Sequence, residues 1–210
     1  MIGVEGLFFI LVLIASVVLH EMAHGYAAYS LGDPTPAYAG RLTINPIPHI
    51  DPIGSVLLPA VLLVTNSPFL FGWARPVPYN PANVRQGWGE AFIAFAGPGT
   101  NLLLAVAFAA VVRLAHAGAL PEGIVPFALQ AVIINVVLAL FNLIPIPPLD
   151  GSKILSYFLP LRARLWYARL EANIASWGFF GLALLLFAII ALGGEVIARG
   201  VRWIVSFLVG

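Results

Sequence analysis

The sequence predicts an all-α polytopic membrane protein, and three observations carry that reading. Of its 210 residues, 61% are hydrophobic and only 9% charged, where an average globular chain carries about 25% charged residues. A water-soluble surface cannot be built from that composition. Apolar runs of bilayer-spanning length recur along the chain, giving about five to six membrane segments. No internal repeat interrupts them, and residues 1–210 read as one integral membrane domain.

The first run, from about Gly6 to Leu31, reads as a helix carrying His20, Glu21 and His24 in its second half. The first Lys or Arg is Arg41, so the charged start of a cleavable signal is missing and this helix is expected to be retained. Gly32-Asp33-Pro34 stops it, and Pro, Gly, Asn and Asp crowd residues 33–52, with short β-like pieces such as Arg41 to Ile44. Residues 53–65 are apolar but contain Pro59 and fall short of the roughly 20 residues a spanning helix needs. A re-entrant or β-structured segment is therefore expected between the first two core helices.

After a polar, Pro-rich stretch from Asn66 to Gly89, the next span runs from about Glu90 to Leu114 and contains Gly97-Pro98-Gly99-Thr100-Asn101. Small residues there allow close helix approach, and Pro98 frees a carbonyl that protein must satisfy. A further span, about Ile124 to Leu143, runs into Ile144-Pro145-Ile146-Pro147-Pro148-Leu149-Asp150-Gly151, which cannot be continuous helix. Two apolar stretches close the chain within about 172–210, Ile174 to Leu192 and Val196 to Val209.

The chemistry concentrates in His20-Glu21-Met22-Ala23-His24. Two imidazoles four residues apart share one helical face and can grip one zinc ion. The carboxylate between them lies where hydrolytic zinc sites keep the base that takes a proton from the attacking water. The competing interpretation is a polar cluster that glues helices together. Three ionisable groups at metal-ligand spacing inside one apolar helix need a common reason, and zinc supplies one.

A catalytic zinc needs a third protein ligand. The chain has no cysteine, so the donor is a carboxylate or another histidine. Asp150 is favoured because it follows a Pro-broken run at membrane depth, where irregular backbone is tolerated only around a cavity or protein interior. The alternative for Asp150 is a loop aspartate capping the next helix. His49 and Asp51 compete for the third position, although an Asp before Pro52 is also a common turn device.

Three segments together resemble the site-2 proteases, the intramembrane zinc metalloproteases: His20 to His24, Gly97 to Asn101, and Asn142 to Gly151. The resemblance covers a core of about residues 6–160. It implies that His20, His24 and Asp150 bind one Zn2+ per chain, that Glu21 is the catalytic base, and that Asn101 and Asn142 are polar residues near the site; from their position, substrate binding or oxyanion stabilisation is the role expected of the two asparagines. It implies transmembrane-helix substrates cut within or near the bilayer. Beside the larger members of that family, the chain is expected to be a compact form without an inserted PDZ domain or a carboxy-terminal nucleotide-sensing domain. Two other functions fit parts of the pattern, a membrane metal transporter and a catalytically silent helix-binding scaffold. The ten Lys and Arg form no patch suited to nucleic acid.

Shared coordination requires His20, His24 and Asp150 to lie at one depth, so their helices run parallel with an odd number of crossings between them. With the amino terminus outside, Arg41, Arg75, Arg85, Lys153, Arg162, Arg164 and Arg169 fall inside, as the positive-inside rule favours. That places the site nearer the cytoplasmic side of a bacterial-type cell membrane.

Overall fold

The computed structural model describes residues 3–65 and 72–210, and all regular structure among them is helical. The eight α-helices are α1 (Val4–Ser30), α2 (Thr35–Tyr38), α3 (Leu58–Val64), α4 (Gly89–His116), α5 (Val125–Asn142), α6 (Asp150–Phe158), α7 (Leu161–Ser176) and α8 (Gly178–Val209). Among the described residues, four segments are long and apolar enough to cross a bilayer: Val4–Ser30, Gly89–His116, Glu122–Asn142 and Ala183–Val209.

The count of four differs from the five to six segments expected from sequence. Apart from Ile174–Ser176, which end α7, and Trp177, the two closing apolar stretches lie in one continuous helix, α8, of 32 residues. Its charges are accommodated on its own surface, where Glu195 meets Arg199 at 3.6 Å and Arg202 at 3.1 Å. Such pairs remove the reason for a break between the stretches. The basic connection before it is also helical, as α7, and buries no residue.

Helix α4 packs against both α1 and α5 and also receives α6, while α8 lies against α5 and α4. The α4–α5 contact is lined by small residues: Ala105 and Ala109 meet Val132 and Val136, with Val201, Ile204 and Val205 of α8 covering the cluster. Small side chains bring backbones close, which supplies packing where lipid removes the usual hydrophobic drive between helices. A second cluster joins Ala27 and Ala28 of α1 to Ile93 of α4. Large residues such as Leu7, Leu11, Leu103 and Phe187 are exposed, as expected for surfaces that face acyl chains rather than water.

Between α1 and α4 the described chain contains no strand. Arg41 to Ile44 forms bends rather than the β-like piece expected from its composition, because its neighbours pair with side chains and turns instead of another strand. Asp51 caps a run of wide, π-type turns over Pro52–Leu57 by accepting from Ile53 N at 3.0 Å and Gly54 N at 2.7 Å. Those turns lead directly into α3, of seven residues, about 10 Å of helix against a hydrocarbon core of about 30 Å. Part of the polar stretch that follows, residues 66–71, lies outside the described residues. From Gly72 to Asn80 the chain has no regular secondary structure.

Candidate metal centre and cleft

His20 and His24 sit one helical turn apart on α1, and their rings pack edge to face with centroids 4.7 Å apart. Each ring is oriented by α4. His20 Nδ1 lies 2.6 Å from Asn101 Oδ1, and His24 Nδ1 lies 2.7 Å from the carbonyl oxygen of Ile93. A carbonyl only accepts, so His24 carries its proton on Nδ1. Asn101 spends its amide on Asn135 Oδ1 at 2.9 Å and Ser16 O at 3.4 Å, which turns its oxygen to His20 and puts that ring's proton on Nδ1 too. Both Nε2 atoms therefore present lone pairs.

Those lone pairs converge. The two Nε2 atoms are 3.0 Å apart, and Asp150 Oδ2 stands 3.3 Å from each. Neutral donors facing one another without a proton between them repel unless a cation is shared. Tetrahedral zinc with ligands at about 2.0–2.1 Å spaces its donors about 3.3–3.4 Å apart, so the three atoms could hold one zinc ion. They form the sole such group of His, Asp or Glu among the described residues.

Asp150 reaches the histidines because of the broken segment before it. Helix α5 ends at Asn142, and Ile146 N donates to Ile144 O at 2.8 Å and Leu149 N to Ile146 O at 3.0 Å in the tight turns that follow. Tyr167 of α7 donates to Pro145 O at 3.0 Å, pinning the loop from outside. Asp150 opens α6 but makes no side-chain cap, the cap position being Leu149. Gly151 lies so close to the Leu143 and Ile144 carbonyls that a Cβ there would collide with them.

Gly97 has a function that small-residue packing alone does not describe. A Cβ at this position would strike Nε2 of both His24 and His20, so the missing side chain makes room for the imidazoles themselves. Pro98 follows, leaving the Ala94 carbonyl without its helical donor.

A cleft of about 400 Å³ opens over this group, lined among others by Glu21, Val77, Asn142, Asp150 and Lys153. Glu21 faces it, and its Oε2 accepts from the backbone N–H of Val77 at 2.8 Å. Asn142 also lines it, with its amide donating to Leu138 O at 3.0 Å. Asn101 does not reach the cleft: it is fully buried and committed to His20, Asn135 and Ser16. His49 and Asp51 are outside the three-residue group. His49 is buried with Nε2 3.0 Å from Thr43 O, and Asp51 is occupied in its cap.

The sequence reading missed Asn135, Val77 and Arg41. Asn135 had a signal, since a lone buried amide in the middle of an apolar span asks for a partner. Val77 had none, because its part in the site is played by its backbone. Arg41 entered as a topological charge and as the start of a β-like piece, with no part in the site.

Residues 110–186 match peptidase family M50. Over 197 residues, covering 90% of this chain and 84% of the relative, the sequence is 36% identical to the Bacillus subtilis (strain 168) protein named "Putative zinc metalloprotease YwhC". It is 31% identical over 185 residues, 85% of this chain and 67% of the relative, to "Putative zinc metalloprotease Rip2" of Mycolicibacterium smegmatis. A shorter match, 43% over 65 residues, 31% of this chain and 32% of the relative, is to "Putative zinc metalloprotease MJ0611" of Methanocaldococcus jannaschii. No solved structure matches significantly. An extended likeness to one such relative, a family match through α5 and α6, and apolar helices around a buried donor set all point the same way: the chain belongs to peptidase family M50, the site-2 proteases, as a zinc metalloprotease of the membrane.

Proposed function

We propose that this metalloprotease cuts peptide bonds within or near the transmembrane helices of membrane-protein substrates, with His20, His24 and Asp150 as its zinc ligands and Glu21 as its general base. The observation that carries this reading is the convergence of three lone-pair donors, 3.0 to 3.3 Å apart, among bilayer-length helices. Zinc, when bound there, supplies a Lewis acid that polarises a carbonyl and acidifies water.

The remaining chemistry belongs to the chain. Glu21 accepts the proton of the attacking water and returns it to the leaving amine, so the peptide is hydrolysed with no net proton change. Asn101 acts through His20, fixing the ring so that Nε2 faces the metal. Asn142, on the cleft wall, is placed to hold an unwound substrate backbone or the developing oxyanion. The substrate must arrive locally extended, because helical hydrogen bonds occupy the carbonyl that has to be attacked.

The basic residues support a cytoplasm-facing site. With four crossings and the amino terminus outside, the segments containing Arg41, Arg75, Arg85, Lys153, Arg162, Arg164 and Arg169 lie inside, seven of the ten basic residues, as the positive-inside rule favours. The Pro52–Val64 helical path then enters and leaves by the same side.

The deciding experiment is cleavage by purified protein of a panel of labelled transmembrane-helix peptides, with soluble peptides of equal composition as controls. Chelator-sensitive cutting of the membrane peptides is expected. Cleavage of the soluble controls alone would overturn the substrate class.

A further inference from the structure

Residues Gly72 to Asn80 line the cleft as an irregular strap that is fastened at several points. Trp73 N donates to Gly54 O at 3.2 Å and Arg75 N to His49 O at 2.9 Å. Ser55 Oγ donates to Trp73 O at 2.8 Å, and Asn80 N donates to Asp33 Oδ2 at 2.6 Å. Prolines at 76 and 78 have no N–H, so Val77 supplies the single backbone donor between Arg75 and Tyr79. That donor is spent on Glu21 Oε2, at 2.8 Å.

Arg41 holds the same stretch from the other side. Its Nη2 donates to the carbonyl oxygens of Arg75 at 2.6 Å and Pro76 at 2.7 Å. The side chain is buried, yet no carboxylate lies within ion-pair distance of it among the described residues. Burying a guanidinium is costly and usually calls for a carboxylate. Here its donors go instead to the two peptide units immediately before Val77. The Pro76–Val77 peptide thus has its oxygen on Arg41 and its N–H on Glu21, and both hydrogen bonds fix the plane of one rigid amide.

We infer that Arg41 is a positioning residue for Glu21, acting through the Pro76–Val77 peptide. This rests on Glu21 being the base. A carboxylate on a single flexible stem has several rotamers, and the Val77 N–H selects one by occupying one oxygen while leaving the other free to accept a proton. The strap is a wall of the cleft that aims the base. It cannot serve as a donor edge for a substrate strand between 75 and 78, since both of its N–H groups there are engaged. Lysine in place of Arg41 presents a point charge rather than a planar fork and cannot hold both carbonyls in the same geometry.

The test uses the zinc-loaded, full-length protein in detergent and compares Arg41→Ala, Arg41→Lys, Val77→Pro and Val77→Ala. Val77→Pro deletes the N–H, whereas Val77→Ala keeps it. Hydrogen exchange of the Gly72–Asn80 stretch should accelerate in Arg41→Ala while α1 and α4 stay protected and zinc stays bound. On a membrane-helix peptide that the parent protein cuts, Arg41→Ala and Val77→Pro should each lower kcat by up to about a hundredfold, as misplacement of a reacting group by about 1 Å can do. KM should change little, Arg41→Lys should fall between, and Val77→Ala should remain near the parent.

Unchanged strap exchange in Arg41→Ala, or full kcat in Val77→Pro, overturns the inference. So does loss of zinc in Arg41→Ala, which would mark the residue as part of the scaffold. If the parent protein cuts no membrane-helix peptide, the substrate reading fails by itself, and the exchange comparison still decides whether Arg41 tethers the strap.

Discussion

Asn101 Oδ1 stands 2.6 Å from His20 Nδ1, on two different helices and 81 residues apart in sequence. That contact sets the tautomer of His20 and leaves Nε2 as the nitrogen open to a metal. Replacing Asn101 by Ala is expected to weaken zinc binding by about 10- to 100-fold, the usual cost of removing a partner that orients a ligand. Competition against a chromophoric chelator measures it, and parental affinity in Asn101→Ala would show that the ring needs no such partner.

Gly97→Ala is expected to lower zinc content more sharply than any substitution of a neighbouring small residue, because its Cβ would meet both imidazoles. Gly99→Ala is the control. There the new methyl approaches the ring edge of Phe95 at 3.2 Å, a side chain that can yield. Metal analysis of the two purified variants checks the contrast, and equal zinc in both would mean that the imidazoles have slack.

Glu21→Gln should retain zinc and fold but lose proteolysis by several orders of magnitude, since an amide accepts no proton from water at neutral pH. Metal analysis beside peptide cleavage reads both properties. Undiminished turnover would place the base elsewhere.

Asp150→Asn should reduce both zinc retention and cleavage, because the site loses its anionic donor. Asp51→Asn should leave metal content near the parent, since Asp51 caps Ile53 and Gly54. The reverse pattern would refute the ligand assignment.

Asp33 gives a pH-dependent prediction outside the spans. Burial raises its pKa, but hydrogen bonds from Asn83, Thr35 and Asn80 outweigh that and lower it below the ordinary value. A depressed folded pKa contributes stability that is fully present above the unfolded value of about 3.9 and is lost as pH falls through the folded one. Thermal unfolding of the parent should therefore shift downward below about pH 4. Asp33→Asn should cost about 2–4 kcal/mol at neutral pH and flatten that part of the profile. An unchanged acid limb in Asp33→Asn would remove Asp33 as its source.

The parts of the site legible in sequence were those encoded by local spacing. His20 and His24 share a face by helical period, and Asp150 announces itself through the prolines at 145, 147 and 148. The rest depends on groups that no spacing marks. Val77 contributes a peptide N–H to a residue 56 positions earlier, and Ile93 contributes a carbonyl to His24. Gly97 looked like a packing residue because collision with an imidazole is visible only once α1 and α4 are docked. The end of the chain differs from expectation: the sequence reading ends one closing apolar stretch at Leu192 and resumes at Val196, with Gly193, Gly194 and Glu195 between them. Helix α8 carries them through, since lipid offers no water to take up backbone groups released by an interruption.

Both imidazoles take their orientation from α4, one from the Asn101 side chain and the other from the Ile93 carbonyl. A slide of α4 along α1 by one residue, about 1.5 Å, would break the two hydrogen bonds together and release both rings. While metal is held, these helices must move as one beam. On the proposed function, room for a substrate helix has to come from parts that neither set the histidine tautomers nor hold a zinc ligand or the base, such as α8.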